Sequence, residues 1–184
     1  MGFDKKMYLS GAQLGHWYAP NITPDESSGI CSWSEQDIIT YLRTGELDQR
    51  AYAGGPMGEA VAHSTQYLKQ EDLSAIAVYL KTVPAIQTDD KVSAIDVSRL
   101  PTRVNESITH DLLAQKDYLA QAKTAVSKGS NSPEALYLAT CGSCHGVDGY
   151  GQPDAQYSPI VGLSSLRRDK PDVLVNMILH GVVG

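Results

Sequence analysis

Apolar residues return at helical spacing in five stretches of the chain, and Gly, Pro and polar residues mark the breaks between them. The first stretch follows Ser34, a good N-cap, with Asp37 three residues on in a capping-box-like position. Ile38, Tyr41 and Leu42 then share one face, and Gly45 supplies the stop. The second predicted helix runs from about Gln70 to Thr82, with Leu73, Ile76, Ala77 and Leu80 as its stripe. Glu71 and Asp72 suit its positive N-terminus, Lys81 suits its negative C-terminus, and Pro84 ends it.

From Pro84 to about Asn131 the chain reads as a polar linker interrupted by Pro101. Inside it, Ile108, Leu112, Gln115, Leu119, Ala122 and Val126 lie along one side of a helix of about five turns, ended by Lys128-Gly129. A stripe this narrow is expected to pack on the body of the same protein rather than on a separate partner. A fourth helix begins at Ser132-Pro133-Glu134 and carries Ala135, Leu136 and Ala139 into Cys141. The last spans about Pro171 to His180, with Leu174, Met177 and Ile178 expected inward and Gly181 at its end. Residues 1–33 read as irregular. The pattern therefore predicts an all-α chain in three parts: 1–83, a linker over 84–131, and 132–184.

At 184 residues this is one domain or two small ones. The formal net charge of −6, with no basic run, argues against a nucleic-acid partner. No stretch approaches the roughly 20 apolar residues of a membrane span. Met1-Gly-Phe-Asp-Lys-Lys lacks an apolar core, so no secretory signal is expected there.

The chemistry concentrates in Cys141-Gly-Ser-Cys144-His145. C-x-x-C-H is the pattern of covalent c-type haem attachment. Two thiols on one helical turn can each form a thioether to a haem vinyl group, and His145 then supplies an imidazole to the iron. The pattern without its histidine is shared by zinc half-sites and redox dithiols, and a structural thiol pair beside a chance histidine is the competing reading. Gly146 and the loop Val-Asp-Gly-Tyr-Gly after it favour haem. The third cysteine, Cys31, is expected to be a small buried residue. His16, His63 and His180 are expected to be solvated or hydrogen-bonded, not ligands.

Ala53-Gly54-Gly55-Pro56-Met57-Gly58 reads as a rigid loop presenting one methionine. A thioether suits haem iron, and paired with histidine it raises the reduction potential. Met57 is thus a candidate second ligand; the alternative is a methionine filling a core gap. Met177 falls inside a helical stripe and reads as core. The turn-rich loop Tyr157-Ser-Pro159-Ile-Val-Gly-Leu163 is expected beside the cofactor, where a backbone carbonyl would orient His145.

Several of these runs together resemble one protein type: Asn21-Ile-Thr-Pro-Asp-Glu, Gly29-Ile-Cys-Ser-Trp-Ser, Tyr41-Leu-Arg-Thr-Gly, Gly55-Pro-Met, His63-Ser-Thr-Gln-Tyr-Leu and Asp72-Leu-Ser-Ala-Ile-Ala-Val-Tyr-Leu-Lys. The type is the multihaem cytochrome c subunit of bacterial membrane-bound alcohol, aldehyde or gluconate dehydrogenases. The resemblance implies class I cytochrome c-like domains, covalent haem c, and a periplasmic place in a complex held peripherally on the inner membrane. It implies electrons received from a flavin- or quinoprotein dehydrogenase subunit and passed toward ubiquinone.

Against that pattern, residues 1–83 match the later part of the second haem domain, with its Met but not its C-x-x-C-H. Residues 132–184 match the beginning of the third, with its C-x-x-C-H but not its Met loop. The two half-domains are complementary. The expectation is one haem ligated by His145 and Met57 in a domain completed in permuted order, or a domain-swapped homodimer. The function expected is an electron-transfer module that is not catalytic on its own. The alternative is a haem-free or zinc-binding fragment using Cys141, Cys144, His145 and Cys31. A small haem enzyme would need an open iron site, which Met57 opposes.

Overall fold

The computed structural model describes residues 5–15, 17–47, 50–92, 112–151 and 160–181. In chain order the elements are a 3-10 turn (Lys5–Met7), β1 (Ala12–Leu14), β2 (Trp17–Ala19), α1 (Glu35–Thr44), β3 (Glu46–Leu47), β4 (Ala51–Tyr52), α2 (Pro56–His63), a 3-10 turn (Thr65–Tyr67), α3 (Gln70–Thr82), α4 (Leu112–Ser127), α5 (Pro133–Thr140), α6 (Gly142–His145), α7 (Ser164–Arg167) and α8 (Asp172–His180). The fold is predominantly helical, with two antiparallel two-stranded sheets, β1–β2 and β3–β4. The first sheet lies in the segment expected to be irregular. Its strands are three residues long and too short to show a period.

The chain forms two compact units, 1–95 with 163–184, and 96–162. In the first unit, Ile30, Ile38, Ile39, Leu73 and Ala77 are the core, with Trp33, Leu42, Leu68 and Leu80 packed around them. Leu73 and Ala77 are completely buried where α3 crosses α1. Burying a leucine this way contributes about 1.5–3 kcal/mol. Helix α1 starts as predicted: Ser34 Oγ accepts from Asp37 N at 3.1 Å, and Asp37 Oδ2 accepts from Ser34 N at 2.8 Å. Gly45 closes it at φ 75°, in the left-handed region. Lys81 reaches beyond its own helix and donates to the carbonyls of Cys31 and Trp33 at 2.8 and 2.9 Å.

A buried polar knot replaces hydrophobic packing over the run that begins at Asn21. The Asn21 amide donates to Ser28 Oγ at 3.0 Å and to the Ile86 carbonyl at 2.7 Å, and its Oδ1 accepts from Thr23 N and Oγ1. Asn21, Thr23 and Ser28 are all fully buried. Asp25 Oδ1 gathers the backbone and hydroxyl donors of Ser27 and Ser28. Burial alone would raise the Asp25 carboxyl, but these four donors hold it below its ordinary value. Gly29 is required here, because a Cβ would sit 2.1 Å from the Thr23 carbonyl oxygen. Cys31 is exposed, contrary to expectation, because the knot turns the chain outward just before α1.

Helices α7 and α8 belong to this first unit. Ser164 N donates to the Arg50 carbonyl at 2.8 Å, and Lys170 Nζ stands 4.6 Å from the Tyr18 ring centroid. On α8, Leu174 and Met177 are half-buried, but Ile178 is 71% exposed and not inward as expected. The buried polar residue of that helix is Asn176, whose amide donates to the Asp172 carbonyl at 2.8 Å. The inward side of the helix is the one carrying Met177, whose methyl lies against Gly54.

The second unit is built from α4, α5 and α6. Ala122 is buried, and Leu119 and Val126 are half-buried, where α4 packs along α5. The stripe thus packs on the same chain. Ile108 lies outside the described residues, and only the backbone of Leu112 and Gln115 is described. Ser132 caps α5, accepting from Ala135 N at 3.5 Å, with Pro133 in the first turn.

Candidate functional site

Cys141, Cys144 and His145 come together on one turn of backbone in the second unit. Cys141 closes α5, its N–H donating to the Tyr137 carbonyl at 2.7 Å. The chain then turns directly into α6, where Cys144 N and His145 N both donate to the Cys141 carbonyl, at 3.1 and 3.0 Å. Neither thiol is in a disulfide, and both side chains are half-buried. Cys141 Sγ lies 3.3 Å from the Thr140 hydroxyl. Gly142 is buried, and a Cβ there would meet Leu119 Cδ2 at 2.8 Å, so α4 packs directly over the motif.

The loop after the motif is also built. Gly146 at φ 81° leaves the helix, and Gly151 N donates back to the His145 carbonyl at 2.7 Å. The Tyr137 hydroxyl donates to the Gly146 carbonyl at 2.9 Å, tying α5 to this loop. Burial raises the Tyr137 phenol above its ordinary value, with smaller contributions from Cys141 and Asp148. It stays protonated and keeps donating. Ile160 N donates to the Gly149 carbonyl at 2.9 Å. Pro159 lies outside the described residues, and Leu163 caps α7 in the first unit. Among the described residues, no group of three or more His, Cys, Asp and Glu side chains is placed to hold a metal ion.

Met57 lies in the first unit. It is the second residue of α2 rather than a loop residue, because Pro56 has the φ that starts a helix and no N–H to lose. Gly55 precedes it at φ 52°, and a Cβ there would lie 2.5 Å from the Trp17 indole. Met57 lines a cavity of about 330 Å³ whose walls include Trp17, Trp33, Tyr41, Leu80 and Arg168. This is within the usual size of ligand pockets. Trp33 and Tyr41 meet edge to face, with centroids 5.3 Å apart.

The sequence reading missed Trp17 and Arg168 as parts of this wall. Trp17 stands between His16 and Tyr18 in a segment without helical periodicity, and Arg168 stands in a charged run that resembles an exposed turn. His63 and His180 are exposed, and His16 lies outside the described residues. No described helix is long and apolar enough to cross a membrane.

No protein-family model matches the chain. It is 38% identical over 180 residues to the fructose dehydrogenase cytochrome subunit of Gluconobacter japonicus, covering 97% of this chain and 35% of that one. It is 36% identical over 177 residues to the cytochrome c subunit of a quinone alcohol dehydrogenase from Gluconacetobacter polyoxogenes, covering 96% and 33%. It is 30% identical over 182 residues to the gluconate 2-dehydrogenase cytochrome c subunit of Pantoea cypripedii, covering 95% and 35%. The chain is homologous to a portion of the cytochrome c subunits of bacterial dehydrogenase complexes. It spans about a third of the length of these curated relatives.

Proposed function

We propose that the chain is an electron-transfer module of the c-type cytochrome kind, with haem c held by Cys141, Cys144 and His145. The observation that carries this reading is the single helical turn bearing two free thiols and the imidazole, in a chain homologous to cytochrome c subunits. The residues fit the group. Each thiol would add its S–H across one vinyl group, the sulfur bonding to carbon and the hydrogen going to the vinyl group's other carbon, with no oxidant required. His145 would ligate the iron, and the loop closed by Gly151 N on the His145 carbonyl would hold that residue's backbone in place. A bound haem supplies one-electron chemistry at its iron.

Met57 is proposed as a thioether ligand to haem iron, presented into the cavity of the first unit. Its walls of Trp17, Trp33 and Leu80 would exclude water from such a group, and Pro56 at the start of α2 would restrain the ligand's backbone. In this reading the chain is not catalytic on its own. It would receive electrons from a flavin- or quinoprotein dehydrogenase subunit and pass them toward ubiquinone, on the periplasmic side of the inner membrane and peripheral to it. The support for these partners is the homology to dehydrogenase cytochrome subunits.

The test is a visible spectrum, oxidised and reduced, with the haem-to-protein ratio measured after denaturation. Low-spin bands that stay with the denatured chain are expected from the wild type. They should be lost from the chain when Cys141 and Cys144 are both changed to Ser. A wild-type chain that carries no covalent haem when made with the maturation machinery would refute the reading.

A further inference from the structure

Tyr137 holds both ends of the Cys141–His145 motif. Its carbonyl accepts from Cys141 N at 2.7 Å, at the close of α5. Its hydroxyl reaches past the motif and donates to the Gly146 carbonyl at 2.9 Å. The thiols and the imidazole thus lie between two bonds made by a single residue. Gly146 is buried, and the Tyr137 hydroxyl is the donor its carbonyl meets among the described residues. A buried carbonyl that loses its donor is costly, so this bond resists any movement of Gly146 away from α5.

The turn itself needs such help. Helix α6 is four residues long, too short to be stable alone. Cys144 N and His145 N both bond the Cys141 carbonyl, which secures its start. His145 is its last residue, so the direction of the His145 backbone depends on what the chain does next. Two bonds decide that: Gly151 N on the His145 carbonyl at 2.7 Å, and the Tyr137 hydroxyl on Gly146. The return is tight, because a Cβ on Gly146 would lie 2.6 Å from the Gly151 carbonyl oxygen. A shift of Gly146 therefore disturbs the Gly151–His145 bond as well.

Helix α5 does not require the hydroxyl. A phenylalanine would fill the same space and leave the bond to Cys141 N in place. What the hydroxyl adds is a fixed exit from His145. Two sulfurs and one imidazole that meet a single rigid porphyrin need their positions held to about 0.5 Å.

We propose that Tyr137 is a positioning residue for His145, its hydroxyl setting where the imidazole stands relative to the Cys141 and Cys144 sulfurs. This rests on the reading of the motif as a haem site. Tyr137 acts through the Gly146 backbone and not at the iron.

The test compares the full chain with its Tyr137→Phe variant, both made with the maturation machinery. Amide exchange is read residue by residue by NMR of the reduced protein, whose low-spin iron is diamagnetic. Gly151 N–H should exchange at least about tenfold faster in the variant, because its bond to His145 opens with the loop. Cys141 N–H, held by the Tyr137 backbone, should exchange as in the wild type, whereas a general loss of stability would speed both. The reduction potential should fall, because a loosened loop admits water to the histidine side of the iron. Unchanged exchange at Gly151, equal acceleration at Gly151 and Cys141, or an unchanged potential, with covalent haem in both chains, overturns the proposal and leaves the haem reading standing. A wild type without covalent haem overturns both.

Discussion

Asp90 and Arg168 meet at 2.7 Å with side chains 0% and 7% exposed. Their ion pair fastens residues 163–181 to the end of the segment that follows α3. Lys170 N on Asp90 and Asp169 N on the Lys91 carbonyl complete the attachment.

A buried pair such as this is costly to break from one side, because the remaining charge is left without water or partner. Asp90→Ala is expected to destabilise the protein by about 3–5 kcal/mol. Replacing both members by apolar residues of similar volume should cost much less. Urea unfolding of the single and paired variants measures the difference.

Stability should fall in acid through two carboxylates. Burial alone would raise the Asp37 carboxyl, but Arg50, at 2.6 Å, and the Ser34 donors hold it below its ordinary value. Asp25 is held low by Ser27 and Ser28. A depressed carboxylate contributes stability that is fully present above its unfolded pKa and is lost as pH falls through the lower folded value. The urea midpoint should therefore hold steady from neutral pH down to about 4 and drop below it. In Asp37→Asn that drop should be shallower.

Gly55 should not tolerate a side chain. At φ 52° an alanine would be strained, and its Cβ would strike the Trp17 indole. Gly55→Ala is expected to cost about 1–3 kcal/mol. Displacement of Trp17 should appear as a shift in tryptophan emission, and an unchanged spectrum and midpoint would contradict this account.

On the proposed ligation of haem iron by Met57, Met57→Ala should remove a sulfur–iron charge-transfer band from the oxidised spectrum and lower the reduction potential. Covalent haem content should not change, since attachment is proposed at Cys141 and Cys144. Retention of the band in the variant would assign the thioether to another methionine.

Local chemistry made much of this protein legible from its sequence. Ser34 with Asp37, Gly45, Pro84, Ser132-Pro133 and Gly181 bound their helices as read, because capping depends on residues a few positions apart. The spacing of Cys141, Cys144 and His145 on one turn follows from helix geometry in the same way. Tertiary structure decided the rest. Asn21 is a buried hub only because the Ile86 carbonyl arrives from 65 residues away. Ile178 is exposed because burial depends on what packs opposite, which a stripe along one helix does not specify, and Cys31 is exposed in the turn before α1, where no periodicity applies. Arg168 became part of a cavity wall because Asp90 neutralises it there, and no local pattern announces a pairing across 78 residues.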